Sequence, residues 1–461
     1  MKPAARHTRR HGSITILTMI FLVLFTSLAL AFHASSDLSL RQARNYRYAQ
    51  TAQTVAESGL AYMIAVLGVQ TIPAEAAKTD LLLAVANTTS TTMDGMANLG
   101  GGQVVFDGTT VRVPAIASES GNASFRAEIS EDPAGSNLWL TVTGTWMGVD
   151  RQVSMRLEPV NKISNVFDYG VASKGKITIG GHGMVMGVND RHEADILSAT
   201  YTDLEAVAIT GSSRLDGDIC TANPDSSVYI SGSPTIAGTS NPALFGQYIH
   251  IGVGQTDFPE VSTAAYVPLA TNTLVGNNFN SDVELVNVRI PAGANPRFGA
   301  GVSIRGVLYV EQPNQVEFSG HVNIQGVIAT ADAGDNAYDD NTIRFRGSVS
   351  SQGVETLPDN DSRFAELREM PGSMILAPGF GLDISGSFDC INGAIACDKF
   401  SMTGNAGGII RGPIICYGDT EFELWGSAEA RIDRSFYTGA LPGFEQPVQL
   451  EAQGETYTEN R

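Results

Sequence analysis

Gly12-Ser13-Ile14-Thr15-Ile16-Leu17 opens an uncharged apolar run that extends to Phe32. The 19 residues from Ile14 to Phe32 are close to the ~20 that an α-helix needs to cross a bilayer. A cleaved secretory signal with cleavage near Ala34 is the alternative, although its apolar region usually holds only ~7–15 residues. Basic residues before the run place the N-terminus on the cytoplasmic side, and three arginines beyond it weaken that asymmetry. These are Lys2, Arg6, Arg9 and Arg10, then Arg41, Arg44 and Arg47.

The helical pattern continues well beyond the apolar run. Apolar residues recur at three- and four-residue steps, which is one face of an α-helix. They are Ala49, Ala52, Val55, Ala56, Leu60, Met63, Ile64 and Leu67. A helix over residues 13–67 would be roughly 80 Å long at ~1.5 Å per residue. Because its first half is apolar throughout, it needs lipid or neighbouring helices around it. A plain membrane anchor with a stalk is an equally good interpretation of the periodicity alone.

Composition limits the remaining chain. The 461 residues are too many for one compact domain, and the formal net charge of -19 argues against nucleic-acid binding. The 49 glycines and the 17% of charged residues indicate short strands and tight turns. Helical periodicity predicts a short helix over Ala74–Ala86 and a loop over Asn87–Gly102. Alternation then predicts strands at Ala123–Ser130, Leu138–Trp146 and Asp150–Glu158.

From about Val171 a short apolar-x-apolar-x-Gly unit recurs. Val302-Ser303-Ile304-Arg305-Gly306 is one example, and Val322-Asn323-Ile324-Gln325-Gly326 is another. Each unit is too small to bury its own apolar face, so the units must stack. A right-handed parallel β-helix is the expected fold, and a β-sandwich with longer loops is the alternative. The fold class is therefore α+β followed by all-β, with a small antiparallel meander between the long helix and the β-helix.

Two motifs carry a resemblance to a known family. Ala52-Gln53-Thr54-Val55-Ala56-Glu57-Ser58-Gly59-Leu60 follows the apolar run, and Gly426–Ser435 with Leu441-Pro442-Gly443-Phe444 closes the body. Together they resemble PilX-type minor pilins, the type IV pilus assembly proteins with a β-helical C-terminal region. The resemblance implies cleavage by prepilin peptidase after Gly12, which leaves Ser13 as the new N-terminus. It also implies a role for Leu17, Glu57 and Gly59 in the assembly helix.

Leu17 departs from the pattern of major pilins. The resemblance puts a glutamate at this fifth mature position, where it pairs with a neighbour's N-terminal amine. Because an unpaired carboxylate in lipid is costly, its absence suits a subunit with no copy above it. We therefore expect a minor or tip subunit of a pilus or of a type II secretion pseudopilus. Expected partners are other pilins or pseudopilins, prepilin peptidase, the inner membrane and a surface glycan or protein ligand.

The predicted organisation follows from these patterns. It has a leader at 1–12, a transmembrane and assembly helix at 13–67, a β-rich domain at 68–160, a β-helix at 165–438 and a loose tail at 439–461. The body is expected outside the cytoplasm on a single-pass inner-membrane helix, and its incorporation into a surface pilus is a further expectation. Two alternatives stay open: an anchored β-helix enzyme acting on polysaccharides, and a bactofilin-like polymerising scaffold.

Candidate sites are sparse, and no catalytic activity and no cofactor are expected. Cys220, Cys390, Cys397 and Cys416 are candidates for disulfides in an exported body, with free buried thiols as the alternative. Asp332, Asp335, Asp339 and Asp340 form a weak calcium candidate, for which a solvated loop is the simpler interpretation. His182 and His192 are the only fairly close histidines in the body, so no zinc site is predicted. Asp216 and Asp218 exemplify a carboxylate pair that a polysaccharide-cleaving enzyme would need.

Overall fold

The computed structural model of the protein describes residues 12–118, 121–133, 135–162, 164–254, 256–334, 337–435 and 441–460. The chain divides into two compact units. The first unit comprises the described parts of Met1–Val160 and Val448–Arg461, and the second comprises those of Asn161–Pro447. The prediction of a long N-terminal helix followed by a large, mostly parallel β-region is confirmed.

The first unit combines two helices with an antiparallel sheet. Its helices are α1 (Gly12–Gly68) and α2 (Ala74–Met93). Its strands, which follow one another across the sheet, are β1 (Val105–Phe106), β2 (Thr110–Ala117), β3 (Ala123–Glu131), β4 (Leu138–Trp146), β5 (Val149–Asn161) and the C-terminal strand (Val448–Asn460). The pairings from β1 to β5 are antiparallel, which is the predicted meander.

Two local predictions in this unit were wrong. The loop expected from Asn87 onward is helical as far as Met93, because burial of Thr89 and Met93 against the unit outweighs the weak helix propensity of its threonines. The tail expected to be loose forms the C-terminal strand beside β5. Leu450 in that strand is buried in the core of the unit, and the backbone N–H of Arg156 donates to Thr456 Oγ1 at 2.9 Å. The strand thereby covers an edge that β5 would otherwise expose.

The second unit is built from short strands with one small helix, α3 (Ala365–Arg368). Its strands are β6 (Val171–Ser173), β7 (Ile177–Ile179), β8 (Met184–Gly187), β9 (Ile196–Ser198), β10 (Glu205–Ile209), β11 (Arg214–Leu215), β12 (Ile219–Thr221), β13 (Ser227–Ile230), β14 (Thr235–Ile236), β15 (Ile249–Ile251), β16 (Glu260–Val261), β17 (Asn272–Thr273), β18 (Asn278–Phe279), β19 (Val283–Ile290), β20 (Arg297–Phe298), β21 (Val302–Val310), β22 (Gln315–Phe318), β23 (Val322–Thr330), β24 (Thr342–Phe345), β25 (Val349–Gln352), β26 (Ser373–Ile384), β27 (Cys390–Ile391), β28 (Ala394–Met402), β29 (Gly407–Ile410), β30 (Ile414–Cys416), β31 (Phe422–Leu424), β32 (Glu429–Ile432) and β33 (Phe444–Glu445).

Strands of the second unit pair in parallel. Most of them pair with the equivalent strand of the next apolar-x-apolar-x-Gly repeat. In β21 and β23, Val302 pairs with Val322 and Gly306 pairs with Gly326. Only the short pairing of β16 with β33 is antiparallel among the named strands of this unit within the described ranges. This regular parallel pairing is what the β-helix hypothesis requires, and the right-handed β-helix itself stays a prediction.

Like side chains stack where the register brings them together. The rings of Phe298 and Phe318 are 5.2 Å apart, and those of Phe318 and Phe345 are 4.7 Å apart. Asn314 is fully buried and accepts the backbone N–H of Asn295 at its Oδ1, while its amide donates to two backbone carbonyls. The stacked rings fill the interior and the asparagine satisfies buried backbone groups at a turn, so both features hold neighbouring repeats in register.

The strands do not stack in sequence order. β6 pairs on one side with β9 and on the other with β30, which lies more than 200 residues later in the chain. In the same way β7 lies between β10 and β31, and β8 lies between β11 and β32. The first strands of the unit, β6 to β8, therefore lie inside the stack and not at its end. The last strands, β30 to β32, pair with them on one side.

Several strands of this unit are buried on both faces. In β30, Ile414 packs in the inner core, whereas the neighbouring Ile415 belongs to a second apolar layer. Segments outside the sheet supply this second layer, among them Phe167, Tyr266 and Phe364. Burial on both faces explains the continuous apolar runs of these strands, because neither face meets water.

Candidate functional site

The candidate site is the helix α1, and its first part lies on the outside of the described protein. Every residue from Thr15 to Arg47 whose burial the structure describes is exposed. Large apolar side chains fill this stretch as far as Phe32, including Leu17 at 56% exposure and Phe25 at 66%. Covering the twelve large apolar side chains from Ile16 to Phe32 would stabilise the protein by roughly 18–36 kcal/mol, at ~1.5–3 kcal/mol for each fully buried side chain. Such a surface is stable only in lipid or against other helices.

The hydroxyl groups within the apolar stretch are satisfied by the helix itself. Thr26 Oγ1 donates to the Leu22 carbonyl at 2.7 Å, and Ser27 Oγ donates to the Val23 carbonyl at 2.7 Å. A membrane interior offers no water to bond polar groups, so this local pairing suits a spanning segment. In the part of the chain described, α1 is the one helix that is long and apolar enough to cross a membrane.

The second part of α1 packs on the antiparallel sheet of its own unit. Ala52, Ala56, Leu60, Met63 and Leu67 are buried and form the core with β3 and β4. Their spacing of three and four residues places them on one face of the helix, as the sequence predicts. The same helix is therefore covered by its own unit at one end and left uncovered at the other.

Two glycines allow a close approach between helix and sheet. A methyl group at Gly144 in β4 would overlap the backbone of Ala52 and Ala56 in α1. A methyl group at Gly59 in α1 would lie 2.5 Å from Cγ of Phe125 in β3. Gly59, which the family resemblance assigns to the assembly helix, is thus buried in contact with its own unit.

Glu57 lies on the exposed side of the helix and has partners within the unit. Gln53 Nε2 donates to Glu57 Oε1 at 3.2 Å, and the Tyr457 hydroxyl of the C-terminal strand donates to the same oxygen at 3.3 Å. Burial, with the Glu57 carboxylate as a further cause, raises the pKa of Tyr457. Glu57 therefore helps to fasten the C-terminal strand to α1, a contact that the motif alone did not predict.

The processing site lies at the beginning of the described chain. Helix α1 begins at Gly12 and includes Ser13, whereas the predicted leader residues 1–11 lie outside the described residues. Cleavage after Gly12 therefore stays a prediction. Leu17, the position that separates minor from major pilins by resemblance, is exposed on the apolar stretch.

All four cysteines are free thiols in the structure. Cys397 in β28 and Cys416 in β30 are paired in register on neighbouring strands, and both are buried. Burial is the main cause that raises the pKa of Cys397, with the adjacent Cys416 as a further cause. Burial also raises the pKa of Cys220 to about 11. The structure thus brings together one pair of the cysteines proposed for disulfides, and leaves it reduced.

The other candidate side chains are dispersed. Asp335 lies outside the described residues, and Asp332, Asp339 and Asp340 form no group of ligand atoms close enough to share an ion. The carboxylates of the candidate enzymatic pair have separate cationic partners. Asp216 accepts from Arg214 Nε at 2.7 Å, and Asp218 accepts from Arg191 Nη1 at 2.6 Å.

The structure groups three residues that the sequence analysis did not. Among the described residues, His192, Asp195 and Asp218 are the one group of His, Cys, Asp and Glu side chains whose ligand atoms lie close enough to share an ion. A sequence signal existed, because Asp195-Ile196 and Asp218-Ile219 repeat the same Asp-Ile pair at the start of the paired strands β9 and β12. Local spacing of the histidines could not reveal it.

Comparison with known proteins gives only distant structural similarity. No protein-family model matches the chain, and no curated protein matches it. Among solved structures, the competence-associated pilin ComZ from Thermus thermophilus is 10% identical with a TM-score of 0.21, over 90% of this chain and 97% of that chain. An ice-binding protein from the Antarctic ascomycete Antarctomyces psychrotrophicus is 11% identical with a TM-score of 0.16, over 58% and 99% of the two chains. An ice-binding protein from an Arctic yeast is 12% identical with a TM-score of 0.17, over 61% and 96%. These low values carry no inference about function.

Proposed function

We propose that this protein is a minor, PilX-like pilin component of a type IV pilus or of a type II secretion pseudopilus. In this proposal α1 is held in the inner membrane before assembly and packs among the helices of other pilins or pseudopilins afterwards. The second unit forms a right-handed parallel β-helix outside the cytoplasm and binds a surface glycan or protein ligand. The protein acts by packing and binding and catalyses no reaction.

One observation carries the proposal, namely the division of α1 into an uncovered part, which is apolar as far as Phe32, and a covered part. A plain anchor needs only about 20 apolar residues, whereas here all described residues from Thr15 to Arg47 are exposed before the helix meets its own sheet. The exposed length is roughly 50 Å at ~1.5 Å per residue, which exceeds the ~30 Å hydrocarbon core of a bilayer. Packing among parallel helices of neighbouring subunits would cover this additional length.

A minor or tip position is supported by Leu17. At this position the side chain is apolar, so α1 offers no carboxylate to the N-terminal amine of a neighbouring subunit. Burying such a carboxylate without a partner would be costly in lipid, and leucine avoids that cost. The proposed subunit therefore needs neighbouring helices beside α1. It does not need a neighbour whose N-terminal amine forms an ion pair with residue 17.

The first experiment determines the mature N-terminus of protein extracted from bacterial membranes, by mass spectrometry of the intact chain. The proposal predicts Ser13 as the first residue, and a Gly12→Val variant that stays uncleaved. A Gly68→Val variant serves as a control, because a side chain at Gly68 meets no atom within 4 Å and lies far from the cleavage site. Retention of Met1, or cleavage near Ala34, would contradict the proposal.

The second experiment tests the packing of α1 in a pilus-expressing cell. A photo-crosslinking residue at Leu24, which is 59% exposed, is expected to capture other pilin-like subunits. The same residue at Leu60, which is 5% exposed, is expected to react only within its own chain. Capture limited to lipid at Leu24, or hydrolysis of polysaccharides by the full chain, would favour an anchored protein or enzyme over a pilin.

A further inference from the structure

The parallel register of the second unit aligns polar residues on three neighbouring strands. Ile196 of β9 and Ile249 of β15 both pair with Ile219 of β12, so the residues that precede these strands occupy equivalent positions. Two of these preceding residues are Asp195 and Asp218. His250 pairs with Cys220, two residues after Asp218, and side chains two residues apart in a strand lie on the same face. The register therefore places both carboxylates and an imidazole on one surface.

A second imidazole comes from the turn before β9. Residues 191–194 form a short 3₁₀ turn, and Asp190 caps it by accepting the backbone N–H of His192 at 2.8 Å. This cap orients the start of the turn, and His192 Nδ1 lies 3.1 Å from Asp195 Oδ2. The ligand atoms of His192, Asp195 and Asp218 all lie within 4.8 Å of one another. His250 Nε2 adds a further nitrogen 3.3 Å from Asp218 Oδ2.

Each carboxylate has one oxygen held by a fixed donor and the other facing a histidine. Asp195 Oδ1 accepts the backbone N–H of Asp218 at 2.7 Å, and Asp218 Oδ1 accepts Arg191 Nη1 at 2.6 Å. Asp195 Oδ2 and Asp218 Oδ2 then face His192 and His250. Donors outside the ligand shell that orient a carboxylate in this way are typical of metal sites.

Burial and charge both favour a cation at this position. The side chains of Asp195 and Asp218 are only 19% and 16% exposed, whereas those of His192 and His250 are about half exposed, which leaves a route for an ion. Arg191 compensates one of the two negative charges of the carboxylates, so one negative charge remains to attract a cation.

We propose that His192, Asp195 and Asp218 bind a divalent transition-metal ion, with Zn²⁺ as the expected occupant, and that His250 orients the Asp218 carboxylate. Imidazole nitrogen favours Zn²⁺ and related ions over Ca²⁺ and Mg²⁺, which prefer oxygen ligands. Zinc lies about 2.0–2.2 Å from such nitrogen and oxygen ligands, so tetrahedral ligand atoms are about 3.3 Å apart. The separation of 3.1 Å between His192 Nδ1 and Asp195 Oδ2 is close to that value, and all three ligand atoms lie within 4.8 Å of one another. The ion would connect the segments that precede β9 and β12 and stabilise this part of the second unit, independently of the role proposed for α1.

The test uses the full chain without an affinity tag, solubilised in detergent and stripped of metal with a chelator. Titration with Zn²⁺ is expected to show one equivalent bound per chain, and Co²⁺ is expected to give the visible absorption of a nitrogen- and oxygen-coordinated ion. His192→Ala and Asp218→Asn should each weaken binding by more than about 10-fold, because losing even an orienting partner of a metal ligand costs about 10–100-fold. His182→Ala and Asp216→Asn are the matched controls and should bind Zn²⁺ as the unchanged chain does.

A thermal measurement distinguishes loss of the site from loss of the fold. Without metal, His192→Ala should melt at the same temperature as the unchanged chain, because the histidine side chain is 53% exposed. With Zn²⁺ at about 100 times its Kd, the unchanged chain gains stability and the variant does not. If Asp218→Asn fails to fold, His250→Ala replaces it, since that imidazole is also exposed. Absence of saturable binding, or equal affinities for His192→Ala and His182→Ala, would overturn the proposal.

Discussion

Replacing Gly144 by alanine tests whether close packing between α1 and the sheet holds the first unit together. The methyl group would overlap the backbone of Ala52 and Ala56 and would lie 2.8 Å from the Ala56 Cα. Ordinary carbon–carbon contacts are ~3.5–4.0 Å, so the helix must move away by about 1 Å. These obstructing atoms belong to the backbone, so no side-chain rotation can relieve the overlap.

The expected loss in the free energy of unfolding of this unit is about 3 kcal/mol. Overpacking a core typically costs ~1–3 kcal/mol, and a gap of ~1 Å removes up to half of the dispersion energy along the interface. Gly59→Ala should cost only about 1 kcal/mol, since the obstructing atoms belong to the side chains of Phe125 and Val142, which can shift. Gly68→Ala is the matched control: no atom lies within 4 Å, and alanine should leave stability unchanged or raise it by up to ~1 kcal/mol.

Hydrogen exchange followed by mass spectrometry measures this effect in the full chain in detergent. Peptides covering Leu138–Trp146 and residues 52–67 should open about 100-fold more often in Gly144→Ala, at ~1.4 kcal/mol for each factor of ten. Peptides covering Val302–Val310 of the second unit serve as an internal control and should exchange at an unchanged rate. Unchanged exchange in β4, or equally faster exchange in both units, would refute the reasoning.

Three further predictions concern buried polar groups of the second unit. Burial raises the pKa of Cys220 from its usual 9.0 to about 11, so between these values the unfolded thiol ionises before the folded one. The contribution of Cys220 to the free energy of unfolding is therefore complete below pH 9 and should fall by about 1–2 kcal/mol at pH 10.5. In urea unfolding, the Cys220→Ser variant should lose less stability than the unchanged chain between these two pH values. Asn314→Ala should reduce the free energy of unfolding by about 2–4 kcal/mol, because it leaves buried backbone groups unpaired. The control is Asn280→Ala: this asparagine is exposed, so the free energy of unfolding in urea should change little. Mild oxidation of the folded chain should leave Cys397 and Cys416 reduced, because both thiols are buried and burial raises the pKa of Cys397, and peptide mass spectrometry that found them linked would contradict this burial.

The sequence predicted those elements whose pattern is local. The long helix α1 follows from an apolar run and a 3.6-residue periodicity, and β4 runs from Leu138 to Trp146 as the alternation indicates. The C-terminal strand was missed because its polar composition resembles a free tail when read alone. Its stability comes from pairing with β5 and from the burial of Leu450, which only the folded first unit provides.

The order of strands in the second unit could not be predicted from its repeats. Each apolar-x-apolar-x-Gly unit has the same inward face, so the pattern requires stacking but does not specify which neighbour stacks on which. The pairing of Val171 with both Ile196 and Ile414 depends on contacts between segments that are distant in the chain. The cluster at His192 was missed for the same reason, because its members come together through strand register rather than through local spacing.

This order of strands accounts for how one unit can be inserted into the other. The second unit occupies the connection between β5 and the C-terminal strand, which are neighbours in the sheet of the first unit. An insertion at such a point is tolerated when the ends of the inserted unit lie close together. They do, since the backbone N–H of Lys162 donates to the Pro447 carbonyl at 2.8 Å.

A stack that ran in sequence order would separate its first and last strands by its whole length. Here the last strands return to β6, β7 and β8, so the chain enters and leaves the second unit at the same place. Each unit also has apolar clusters of its own, one around Leu60 and Val142 and others around Ile304 and Phe364. The helix and sheet of the first unit can therefore form without any alteration to α1, which is a condition that the proposed pilin-like role requires.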